Sequence, residues 1–128
     1  MYRFVDHTAE LELELEADSP EGALGEALRA FAELVGTGEG DPVERKVDIR
    51  APDLPTLLAA WLDELLFVAE TEGLLPDAAE VSVVDGRVTG TLSGRRGDFR
   101  PLVKAVTLHR LRLRRENGVW RGRVVFDV

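Results

Sequence analysis

LVKAVTLHRLRLRRENGVWRGRVVFDV, Leu102 to Val128, is the stretch that decides the fold. Two runs of alternating apolar and charged residues flank Asn117-Gly118. Asn-Gly is the strongest short hairpin signal, because its tight turn needs positive φ at both central residues. A two-residue turn without a bulge puts Arg114 opposite Arg121, Arg112 opposite Arg123 and Leu108 opposite Asp127. The other face then pairs Leu111 with Val124 and His109 with Phe126. Like charges directly opposite destabilise a sheet, so the arginine face needs acid from a neighbouring strand.

ELELELE, Glu10 to Glu16, could supply that acid if its strand neighbours the hairpin. Strict alternation places Leu11, Leu13 and Leu15 on one face of a strand, and Glu10, Glu12, Glu14 and Glu16 on the other. Set beside the terminal hairpin, an acidic ladder meets a basic one and the leucines turn inward. We read Val5–Ala17 as this strand.

Two helices lie between. Ser19 is a good N-cap with Pro20 in the first helical position, and Leu24, Leu28, Phe31 and Val35 recur at helical spacing. Gly36 closes that helix. The second starts at the cap Asp53 and ends at Gly73. Its apolar residues, Leu57 to Val68, cover so much of its circumference that it must be central. VERKVDIRA, from Val43, reads as a strand, VSVVDGRVTGTL as a hairpin turning at Asp85-Gly86, and SGRRGDFRP as a loop. Strands mixed with helices and without a βαβ rhythm predict an α+β fold. We expect one domain, residues 1–128, in two layers, with a mostly antiparallel β-sheet carrying two main helices on one face.

At 128 residues the chain is long enough for a real core. With 45% hydrophobic and 31% charged residues it is globular rather than disordered. It has no cysteine, which excludes disulfides, a thiolate nucleophile and zinc–sulfur sites. No signal peptide or membrane-spanning run is evident, so we expect a cytoplasmic protein with no membrane partner. The net charge of −8 argues against gripping DNA or RNA through phosphates. Fourteen of its 16 basic residues are Arg, which sets Lys46 and Lys104 apart.

Candidate site residues gather at strand ends. Asp127 stands beside the carboxylate of Val128, and Glu10 opens the acidic strand on the same predicted face. Such carboxylates repel unless protonated or joined by a cation, and hard oxygens suit Ca²⁺, Mg²⁺ or Mn²⁺. Asp6-His7-Thr8 reads either as a turn or as a proton-transfer or metal-binding pair. His109, in an apolar stripe, reads as core or as a ligand. No phosphate loop, nucleophile elbow or metalloprotease motif is present. A metal-dependent hydrolase using Asp6, His7, His109 and Asp127 is therefore a minor alternative.

DHTAE (Asp6–Glu10), WLDELLFVAETEGLL (Trp61–Leu75), VKAVTLH (Val103–His109) and the closing VVFDV together resemble the archeases, in order and spacing, across essentially the whole chain. The resemblance implies a small α+β protein that is not itself an enzyme. It would activate an RtcB-type RNA ligase in tRNA splicing and RNA repair, promoting GTP- and metal-dependent guanylylation and multiple turnover, and would meet tRNA only indirectly. It also implies a divalent cation, seen as calcium in the family, held by Glu10, Asp127 and Val128. The family usually has Asp at the position of Glu10. Lys104 corresponds to the lysine implicated in activation, with Asp6, His7 and His109 in the flanking motifs. Leu108 stands where the family usually has Tyr. A second reading within the resemblance is a chaperone-like modulator of a tRNA-modifying methyltransferase.

Overall fold

The computed structural model describes residues 1–128. Seven strands and two helices follow in the order β1 (Tyr2–His7), β2 (Glu10–Ala17), α1 (Pro20–Val35), β3 (Pro42–Arg50), α2 (Leu54–Glu72), β4 (Leu74–Val84), β5 (Arg87–Arg96), β6 (Ala105–Glu116) and β7 (Val119–Asp127). The fold is α+β, and the strands divide into two antiparallel sheets, one ordered β1-β2-β7-β6 and the other β3-β5-β4.

The terminal hairpin turns at Asn117-Gly118, both with positive φ (52° and 78°). Arg114 pairs with Arg121 and Arg112 with Arg123, as the sequence predicts. β7 lies between β6 and β2, so the two charged ladders do adjoin, with Glu14 opposite Arg123 and Glu16 opposite Arg121. On the other face Leu13 meets Val124 and Leu11 meets Phe126.

The predicted register fails toward the far end of β6. Thr107 pairs with Val125 and Ala105 with Asp127, so four residues, Leu108 to Leu111, stand against Val124 alone. Leu108 is therefore not opposite Asp127 and is 69% exposed. Val106, not His109, opposes Phe126, and His109 is exposed rather than in the core. Leu111 has no ladder partner. β6 is an edge strand, where an irregular stretch interrupts hydrogen bonds on one side only. Arg110, at φ 53°, turns the backbone back.

Three other readings shift. Residues 2–17 form two strands around a turn at Thr8-Ala9, not one. β4 starts at Leu74, directly after the left-handed Gly73 cap, and continues through Pro76. Proline is tolerated there because β4 is an edge strand with a register shift at that point. SGRR, the start of the supposed loop, completes β5.

Both helices start at the predicted caps. Ser19 Oγ accepts from Gly22 N–H at 2.9 Å, and Asp53 Oδ1 from Thr56 N–H at 2.8 Å. α1 packs on β2 and β4, and α2 on β6, β3 and β4, so the helices hold the two sheets together through one core. Gly122 lets α2 sit close: a Cβ there would meet Leu15 Cδ1 at 2.9 Å and Leu58 Cδ2 at 3.3 Å. Trp61 lies at the centre, fully buried, its indole N–H donating to the Leu24 carbonyl of α1 at 3.0 Å.

Trp61→Phe removes that bond and leaves the outer part of the indole volume unfilled. We expect a loss of about 2 kcal/mol, read as a lower urea midpoint with an unchanged slope.

Candidate functional site

The β1–β2 turn, the last residues of β7 and the segment entering β6 meet at one end of the four-stranded sheet. Ala9 takes the left-handed conformation (φ 59°), and its carbonyl accepts from Val128 N–H at 3.3 Å. The Asp127 carbonyl accepts from Lys104 N–H at 2.8 Å. The tail of β7 is thus fixed from both sides by backbone bonds, independently of its side chains.

Glu10 and Asp127 are direct cross-strand partners, and their side chains share the charged face. His7 stands opposite Glu10 on β1 and joins that face, while Asp6, opposite Leu11, points to the other. The structure therefore brings together His7, Glu10, Asp127, Val128 and the backbone of Lys104. It does not bring Asp6 to the same face, and the irregular stretch of β6 carries His109 out into solvent. The four residues of the hydrolase alternative do not form one centre, and no three His, Asp or Glu side chains converge closely enough to hold a metal ion by themselves.

The donor chemistry still fits a hard cation. Two carboxylates directly opposite each other repel, yet neither Glu10 nor Asp127 takes part in an ion pair. Glu10, Asp127 and the carboxylate of Val128 would offer three oxygen groups, with water completing the shell, as suits Ca²⁺, Mg²⁺ or Mn²⁺.

One pleat inward lies a residue whose role the sequence did not reveal. Glu12 occupies the charged face but is only 4% exposed. Its ladder partner on β7 is the buried Val125, not an arginine. Arg110, from the irregular stretch, reaches over to place a guanidinium nitrogen 2.8 Å from Glu12 Oε1, and His7 Nε2 lies 3.8 Å away. No N–H is aligned on that oxygen well enough for a hydrogen bond. The signal was present in part: Val125 interrupts the charged alternation of β7, so an acid opposite it must find its partner elsewhere.

Further along, Arg3 Nε donates to Glu14 Oε2 at 2.6 Å, and Arg121 pairs with Glu16. The hydrogen bond from Arg3 is the main reason the Glu14 carboxyl is held below its usual range.

These features define a small two-sheet α+β protein with an acidic, oxygen-rich sheet end. The chain belongs to the archease family: the model of the Archease protein family matches residues 2–128. An archease of Methanopyrus kandleri is 35% identical over 135 residues, spanning 97% of this chain and 96% of that protein. One from Archaeoglobus fulgidus is 30% identical, spanning 99% and 98%. The solution structure of Methanobacterium thermoautotrophicum protein 1598 superposes with a TM-score of 0.77 at 29% identity, over 99% of this chain and 98% of that one. The crystal structure of a Thermotoga maritima archease, described as a possible chaperone, gives 0.64 at 24% identity over 100% and 98%, a likeness of fold. No helix is long and apolar enough to cross a membrane.

Two measurements check this geometry. An ion that binds only the folded state raises its stability by mass action, so Ca²⁺ or Mn²⁺ should raise the melting temperature of the wild type but not of Asp127→Asn. Because Glu14 titrates lower when folded than when unfolded, its contribution is complete above the ordinary carboxylate range, roughly pH 4.3, and fades as pH falls through the lowered folded value. Arg3→Ala should flatten the decline of the urea midpoint between about pH 5 and pH 3.

Proposed function

We propose that this chain is a non-enzymatic activator of an RtcB-type RNA ligase in tRNA splicing and RNA repair. It acts on the GTP- and metal-dependent guanylylation of the ligase and so sustains multiple turnover. The carrying observation is the direct cross-strand pairing of Glu10 with Asp127, without counter-ion partners, beside Val128 and Lys104. Those positions lie in DHTAE, VKAVT and VVFDV, the stretches that resemble the family motifs. In this reading Glu10, Asp127 and the Val128 carboxylate hold or deliver a divalent cation, calcium as in the family or Mg²⁺ or Mn²⁺. Glu10 serves where the family has Asp, its longer side chain reaching one methylene further. Lys104, whose backbone N–H donates to the Asp127 carbonyl and whose side chain is exposed, would steady a phosphate of GTP or of the guanylylated intermediate, a task for a compact ammonium. His7, on the charged face, flanks the cation. Asp6 and His109 offer polar contacts to the ligase rather than to the ion. The net charge of −8 suits docking on a ligase with a basic RNA channel; tRNA is then met only through the ligase, and no DNA or membrane is involved. The setting is cytoplasmic.

The description of the Thermotoga maritima relative as a possible chaperone supports a second reading. Here the chain would keep a tRNA-modifying enzyme such as a methyltransferase soluble, without need of the cation.

Single-turnover guanylylation of the cognate ligase with GTP and Mn²⁺ separates the two. Wild type should accelerate the step, whereas Asp127→Ala, Lys104→Ala and a chain extended past Val128 should each lose about tenfold or more of that acceleration. Full acceleration by all three variants would sink the cation reading. Stoichiometric protection of a methyltransferase from aggregation, equal in wild type and Asp127→Ala, would favour the chaperone.

A further inference from the structure

The charged face of the four-stranded sheet carries a second feature, about 13 Å along β7 from Asp127 at 3.3 Å per residue. A hollow of about 320 Å³ opens there, lined among others by Arg3, Arg112, Arg121 and Arg123 with Glu14 and Glu16. Four arginines face two glutamates, and both acids are engaged: Glu14 by Arg3, Glu16 by Arg121. The Met1 ammonium, also at the rim, is taken by Glu26 at 2.9 Å.

Arg112 and Arg123 are left over. They stand directly opposite each other on β6 and β7, an arrangement that costs stability. Arg123 donates only to the backbone carbonyl of Arg110, at 3.0 Å. Arg112, half-buried, makes no ion pair and no side-chain hydrogen bond. Directly paired residues have Cα atoms roughly 4.5–5.5 Å apart, and both side chains line the hollow. The next pair, Arg114 and Arg121, has the same like-charged form but is supplied with acid, from Glu116 and Glu16. The pair in the hollow makes no ion pair: Glu14 stands opposite Arg123 in the ladder but is taken by Arg3.

We propose that this hollow binds a compact polyphosphate group, such as the phosphate chain of a nucleoside triphosphate. Guanidinium forks match phosphate oxygens bidentately, and two neighbouring ones without an ion-pair partner leave the donors such a group needs. The volume lies near the lower bound for small-ligand sites, about 300 Å³. The overall charge of −8 selects for size. A short anion meets the local excess of arginine, whereas a long polyanion must lie along the acidic remainder of the surface. The site requires no metal and no ligase, so its fate is separate from that of the cation reading.

Titration calorimetry of the isolated protein at low salt with EDTA tests this, using sodium tripolyphosphate, GTP and a single-stranded RNA 20-mer. Tripolyphosphate and GTP should bind alike, with RNA weaker. Arg112→Ala should weaken tripolyphosphate roughly tenfold, the effect of losing a charge-assisted bidentate pair. Its urea midpoint should be unchanged or raised, since a like-charged pair is relieved. No tripolyphosphate binding to wild type, or binding unaltered in both Arg112→Ala and Arg123→Ala, overturns the proposal. RNA binding tighter than tripolyphosphate overturns it in favour of a polynucleotide surface. A lowered midpoint in Arg112→Ala with unaltered binding assigns the arginine to stability alone.

Discussion

The pairing of β2 with β7 is the interaction on which the rest depends. It joins residues 10–17 to residues 120–127, nearly the whole length of the chain. Contacts so distant in sequence are entropically costly to form and are made late or cooperatively. The compensation lies on the inner face, where Leu13, Leu15, Val124 and Phe126 enter the same core as α1 and α2. The outer face adds the ion pair of Glu16 with Arg121. Because side chains alternate along a strand, a slip of one residue would turn the leucines outward and the acids inward. The one register that buries the leucines also sets Glu10 against Asp127. Core packing and the candidate cation site are thus fixed by the same alignment.

That alignment was legible because both strands state their faces unambiguously. ELELELE alternates without error, and Asn117-Gly118 sets the hairpin, so Arg112 and Arg114 fell opposite Arg123 and Arg121 as read. The helices were legible from their caps and apolar spacing. What escaped was set by tertiary context. The irregular stretch of β6 has no Gly or Pro to mark it; it takes shape where Arg110 reaches the buried Glu12. With it went the predicted positions of Leu108 and His109. Pro76 disguised the first half of β4, since a proline excludes a central strand but not an edge. The division into two sheets follows from which strands lie side by side, and a period-two pattern carries no information about neighbours.

The charged face reads as three zones along β2 and β7. At one end two acids face each other with Val128 and Lys104 at hand. In the middle a single buried acid is covered by Arg110 and His7. Beyond it lies arginine in excess. A chain with net charge −8 has therefore concentrated positive charge on one half of one sheet face. Helices and the second sheet cover the opposite face, which leaves this one free for ions, phosphates or a partner.

The irregular stretch of β6 has a further consequence. A sheet edge offers unpaired backbone groups to any other strand, and this protein has four such edges. β6 interrupts its ladder and crowds it with arginine. β4 carries Pro76 and a register shift. β1 has six residues, and β3 begins at Pro42 and alternates Glu44, Lys46, Asp48 and Arg50. None presents a long, flat, apolar rim.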